Sequence, residues 1–180
     1  IPTLIYGALF FFETLPVTER VSAGVSNREM YGQALRPLFL IWAFCMLLTA
    51  SVELGPQQWQ NSVLTRTSGI SGTYIIMYTS LMMFILRHFA GPIAHKLSPV
   101  GMLTASSVLT AIGLYLLSTA NSAFTAFAFA TVYGLGIVFY WPTMLGVTAE
   151  RFPKGGAFLL GLMGCVGNLA ISAILPIMGG

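Results

Sequence analysis

The chain has 180 residues, 56% of them hydrophobic and only 7% charged, with a formal net charge of +3 and a mean hydropathy of +0.83. A soluble domain carries about 25% charged residues, so this composition cannot cover a water-facing surface and points to lipid as the solvent. The basic residues are scattered rather than clustered, which argues against a nucleic-acid partner, and all five acids are Glu.

In chain order, Ile1-Pro2-Thr3 has no initiating Met and no basic region ahead of an apolar stretch, so it does not read as a signal peptide. Leu4–Phe12 is too short to cross a bilayer alone, and residues 1–12 read as the end of a preceding transmembrane helix in a longer protein. Residues 13–36 are polar and read as a linker. A spanning helix needs about 20 mostly apolar residues. Five stretches meet that within a bundle over 37–180: 37–55, 69–86, 100–118, 123–147 and 156–176. The expected fold class is an all-α membrane protein, a polytopic bundle of five complete spans plus the end of a sixth.

The charges follow the spans. Arg20, Arg28, Arg36, Arg87, Lys96, Arg151 and Lys154 fall in one set of connections, and only Arg66 falls in the other. That alternation is what the positive-inside rule predicts, and it places 13–36, 87–97 and 149–155 in the cytoplasm. Small residues crowd the last span (Gly161, Gly164, Gly167) and the third (Ala105, Ser106, Thr110, Gly113), where they let helix backbones approach closely. Pro142 lies within the fourth span, after Gly134 and Gly136, and is expected to kink it and free backbone groups.

Signatures of soluble enzymes are absent: there is no zinc-type His pair, no phosphate-binding Gly-rich loop and no Gly-x-Ser-x-Gly elbow. The chain is read as no enzyme, with no cofactor and no metal site. Cys45 and Cys165 sit in apolar runs as reduced thiols, and His88 and His95 lie in or beside a basic loop. The one acid inside a span is Glu53, and an ionisable group at membrane depth is a functional hypothesis by default. Counted from Pro37, it lies roughly 24 Å along its helix, in the outer third of a core about 30 Å thick. Gln57, Trp59 and Asn61 follow within two turns. A carboxylate, amides and an indole are the groups that bind a polyol or sugar, although Trp is also common in an interfacial belt. Tyr140 and Trp141, beside Pro142, and Asn168 in the last span complete the candidate substrate-binding set, with the alternative for Asn168 that it joins two helices.

Arg87-His88-Phe89-Ala90-Gly91-Pro92-Ile93-Ala94-His95-Lys96-Leu97, a basic loop between the second and third spans, resembles the cytoplasmic loop motif of the major facilitator superfamily. Gly91 and Lys96 fit, Arg87 opens the run, and His95 stands where the motif has Asp. Glu150 to Gly156 resembles the loop leading into helix eleven, and the whole chain is similar to the C-terminal half of such a twelve-helix transporter. The run Glu53, Gly55, Trp59 is similar to helix seven of the fucose/glucose/galactose proton symporters. The resemblance implies a secondary transporter in the bacterial cytoplasmic membrane. It would move a small polar solute, a sugar being the leading class, by alternating access with protons, and its partners would be that solute, lipid and an N-terminal half outside this chain. The alternatives are an efflux permease for amphipathic compounds and a non-transporting membrane assembly subunit.

Overall fold

The computed structural model describes residues 2–11, 17–91, 93 and 97–179. Among them there is no strand. The helices are α1 (Pro2–Phe11), α2 (Glu19–Ser22), α3 (Asn27–Ala34), α4 (Pro37–Ser68), α5 (Gly72–His88), α6 (Pro99–Ser118), α7 (Ala123–Ile137), α8 (Tyr140–Arg151) and α9 (Gly156–Gly179), with a 3-10 turn at Pro153–Gly155 before α9. Four helical stretches are long and apolar enough to cross a membrane: Pro37–Ser68, Pro99–Ser118, Ala123–Arg151 and Pro153–Ile177. Their outward faces carry exposed Leu40, Ile41, Phe44, Val108, Ile112 and Tyr115, a surface suited to hydrocarbon rather than to water.

Three expected boundaries move. The connection expected over 55–68 is helix: α4 runs through Pro56 for 32 residues, about 48 Å of axis. Glu53 therefore sits halfway along α4, not near its far end. Gly69 does not open the next span; at φ 74° it ends α4, a left-handed position that a β-carbon would strain. The expected span 69–86 becomes α5, 17 residues from Gly72 to His88. The span expected over 123–147 is interrupted at Val138 and Phe139, dividing it into α7 and α8.

Local chemistry sets the other ends. Pro37 and Pro99 occupy first-turn positions, where a missing N–H costs nothing. Ser98 accepts from the Gly101 N–H, and Ser122 with Thr125 forms a capping box. The closest helix pair is α6 with α7. A β-carbon on Gly113 would strike the backbone of Tyr133, and one on Gly136 would strike the backbone of Thr110, so the two glycines allow near backbone contact. On the other side α9 packs against α4, with Gly167 under the Trp141 ring and Met46. The core there is Phe39, Met46, Met144, Phe152, Leu159 and Met163.

The stretch read as a linker carries structure of its own. A capping box between Ser26 and Glu29 starts α3. Tyr31 meets Phe158 edge-on at 5.1 Å, and Lys154 Nζ lies 3.3 Å from Glu29 Oε1. These contacts hold α3 against the turn that leads into α9.

Candidate functional site

Antiparallel packing of α4 and α5 brings opposite charges together. The three-residue connection Gly69–Ser71 reverses the chain, and the Gly72 N–H donates to Thr65 Oγ1 at 2.7 Å. Side chains lean toward the N-terminus of their own helix. Glu53 on α4 and Arg87 on α5 therefore lean toward one another along the antiparallel pair. Arg87 Nη2 donates to Glu53 Oε1 at 3.1 Å. Glu53 is 4% exposed, and its second oxygen, Oε2, is buried without a hydrogen-bond partner. The expected basic loop does not hold Arg87; it lies instead in the last turn of α5, and its side chain keeps 37% of its surface open.

Two prolines build the rest of this centre. A proline at position i leaves the carbonyl at i−4 without its helical donor. Pro142 frees the Val138 carbonyl, and Arg87 Nε donates to it at 3.0 Å. Pro56 frees the Val52 carbonyl, and Tyr133 Oη donates to it at 3.1 Å while lying equally close to the Glu53 carbonyl. A neutral hydroxyl thus serves one break and a guanidinium the other. The guanidinium needs a counter-charge in this setting, and Glu53 supplies it. One polar centre ties α4, α5, α7 and the α7–α8 junction together. Gly113, by admitting the Tyr133 backbone, sets the phenol at the right height.

Beside the centre lies an open groove of about 400 Å³ lined by Pro56, Trp59, Gln60, Leu114, Leu117 and Tyr133, among others. Of the expected substrate-binding residues, Trp59 alone borders it. Gln57 is half-buried on the same turn of α4. Asn61 is exposed and turns to the helix ends, accepting from Thr65 and Thr73 hydroxyls at 3.3 Å each. Tyr140 is buried, with its hydroxyl 3.4 Å from Ser107 Oγ, and borders a separate cavity of about 280 Å³ with Leu48, Val52 and Thr110. Trp141 is half-buried against Gly167, a packing position. Asn168 Nδ2 donates to the Gly164 carbonyl of its own helix at 2.8 Å and neither joins two helices nor reaches the centre. Of the seven, Trp59 and Tyr140 thus border two different cavities, and the structure does not gather the rest around either.

Of the loop-motif residues, Gly91 borders a cavity of about 200 Å³ beside Pro142 and Thr143, while His95 and Lys96 lie outside the described residues. Sequence reasoning sets Tyr133 aside in favour of Tyr140 and Trp141, and passes over Gln60. The signal for the former is present, since Pro56 marks Val52 as a carbonyl in need of a donor. Among the described residues no group of three metal-ligating side chains converges.

Comparisons with protein-family models, with characterised proteins and with solved structures return no match.

Proposed function

We propose that this chain is the C-terminal part of a secondary transporter of the major facilitator type, moving a small polar solute across the membrane by alternating access with protons. The observation that carries the reading is the Glu53–Arg87 pair, whose carboxylate is buried halfway along a 32-residue apolar helix and which adjoins two carbonyls that prolines leave without a helical donor. Charges at that depth cost several kcal/mol to desolvate, roughly, and persist in spans chiefly where they serve a path or a relay. The break before Pro142 and the missing helix bond at Pro56 supply hinges beside the pair, and glycine contacts between α6 and α7 provide surfaces that can slide. The resemblance at Glu53, Gly55 and Trp59 favours a sugar as the solute.

In this reading α5 is the fifth crossing, its 17 residues spanning about 26 Å. Arg20, Arg28, Arg36, Arg151 and Lys154 then face the cytoplasm of a bacterial cell, and Arg87 leaves that tally for its pairing with Glu53. A second reading, efflux of amphipathic compounds, is favoured by one observation: the groove next to the pair is walled mainly by apolar and aromatic groups such as Trp59, Leu114, Leu117 and Tyr133, with Gln60 and Ser118 as its other polar members.

Uptake into vesicles by the intact protein tests the proposal. Glu53→Gln is expected to lower transport by at least about tenfold, because a charge-assisted hydrogen bond is lost. If Glu53→Gln and Trp59→Ala both transport the best substrate at the native rate, the assignment of the path fails.

A further inference from the structure

Arg87 has two ties and one open side. Its Nε holds the Val138 carbonyl at the α7–α8 break and its Nη2 holds Glu53 Oε1, while part of the side chain stays open and lines a cavity of about 430 Å³ with Ser80, Phe84 and His88. Both nitrogens belong to one planar, rigid group, so a shift that breaks one bond breaks the other.

Glu53 alone balances that charge. The helices α6, α7 and α9 carry no Asp, Glu, Lys, Arg or His, and Glu150 and Arg151 lie at the far end of α8. The phenol of Tyr133 is on the Val52 and Glu53 carbonyls, and that of Tyr140 faces Ser107. On α5 the His88 ring is held on the Phe84 carbonyl at 2.8 Å, and on α4 Arg66 lies roughly 20 Å further along the helix. Glu53 Oε2 is buried and unpartnered, so the carboxylate keeps one oxygen that takes a proton without first giving up a bond. A neutral Glu53 would leave the guanidinium without a counter-charge, and its open side lets it withdraw toward water. The Val138 carbonyl would then have neither a helical donor nor a side-chain donor.

We propose that Glu53 is a proton-binding site, and that the proton, by cancelling the Arg87 counter-charge, releases the guanidinium from the Val138 carbonyl and unlocks the α7–α8 break. Tyr133, the neutral donor at Pro56, has no charge to lose, so the response is confined to the one break. As a coupling device this rests on the transport reading, for which it names where the proton binds.

Hydrogen exchange of the intact protein in nanodiscs tests it, read as the exchange of peptides over residues 139–145 relative to residues 124–131 in the same sample. Acidification from about pH 8 to about pH 4, a range that spans the ordinary carboxylate and imidazole values, is expected to raise that ratio at least about tenfold in the native protein. Loss of one charge-assisted hydrogen bond provides that factor. Glu53→Gln, which keeps the shape of the neutral acid, is expected to show the raised ratio already at the alkaline end and no further change on acidification. Arg87→Met, which removes the donor itself, is expected to do the same. A native ratio independent of pH overturns the proton site. A rise on acidification that survives in Glu53→Gln places the sensor elsewhere, at His88 first, and overturns it too. Glu53→Gln or Arg87→Met indistinguishable from native at the alkaline end overturns the lock. Backbone exchange rather than flux is read throughout, so each of these failures is separate from failure of the transport reading.

Discussion

Pro56 and Pro142 present the same chemical problem and receive different solutions. Each removes one N–H from a long apolar helix and leaves a carbonyl four residues back without a donor. At Pro56 the helix continues unbroken to Ser68, and a neutral phenol from Tyr133 completes the Val52 carbonyl. At Pro142 the helix gives way at Val138 and Phe139, and the carbonyl is completed by a charged side chain from α5. The difference teaches what a break demands of its surroundings. A hydroxyl repairs a carbonyl without further consequence, but a guanidinium imports a charge, and that charge accounts for a buried carboxylate in the middle of α4.

The largest test of this contrast is Arg87→Met. It leaves the Val138 carbonyl open and the Glu53 carboxylate with no partner for either oxygen. A loss of about 3 kcal/mol is expected, the low end for a broken buried pair because Arg87 is partly open to solvent. Thermal unfolding in detergent measures it, and Glu53→Gln in the same chain should return part of the loss by removing the stranded charge. An unchanged midpoint in Arg87→Met would break the comparison. Next in size, Tyr133→Phe should cost about 1–2 kcal/mol through the open Val52 carbonyl. Pro56→Ala sharpens it: the alanine supplies the missing N–H, so Tyr133→Phe should then cost less, with a coupling of about 1 kcal/mol between the two sites.

The smallest effect lies outside the spans and serves as a control. The Ser26 backbone N–H, and then Lys154, hold the Glu29 carboxyl below its ordinary value. A depressed folded-state value means that the docking of α3 is at full strength above the ordinary carboxylate range and weakens as pH falls through the lowered value. Proteolysis of the segment around α3 between pH 6 and 3, in round figures, should therefore speed up at the acid end, and Glu29→Gln should flatten that dependence. Cleavage independent of pH in the native chain would show that Tyr31 on Phe158 alone holds the segment.

Much of the architecture could be read from residues in order. Apolar length marked the helices, and the starts expected at 100 and 123 fall within one residue of Pro99 and Ala123, where the helices begin. The error over 55–68 came from reading Gly55-Pro56 and the following Gln, Asn and Ser as a loop. Those polar residues continue a helix because Tyr133, from a distant segment, satisfies the one carbonyl that Pro56 frees. The candidate site was legible only in parts. Glu53 stood out because a lone acid in a span is costly. Gln57 and Trp59, two residues apart, lie about 200° from one another around α4 and cannot face one ligand. Trp141 was chosen for its place beside Pro142 and Asn168 as a polar group in a span, and their surroundings turned them to packing and to a carbonyl of their own helix.

By itself, then, the sequence determined an apolar helical chain, one acid inside an apolar span, and two prolines, Pro56 and Pro142, that deprive a carbonyl of its donor wherever the chain around them is helical. These are local consequences of side-chain polarity and of the missing proline N–H. Only the tertiary structure decided who answers them. Antiparallel α4 and α5 aim Glu53 and Arg87 at each other, and Gly113 lets α7 come close enough for Tyr133 to reach α4. Donors and acceptors tens of residues apart meet only when helix direction and backbone spacing are both set, and neither is a property of any one segment.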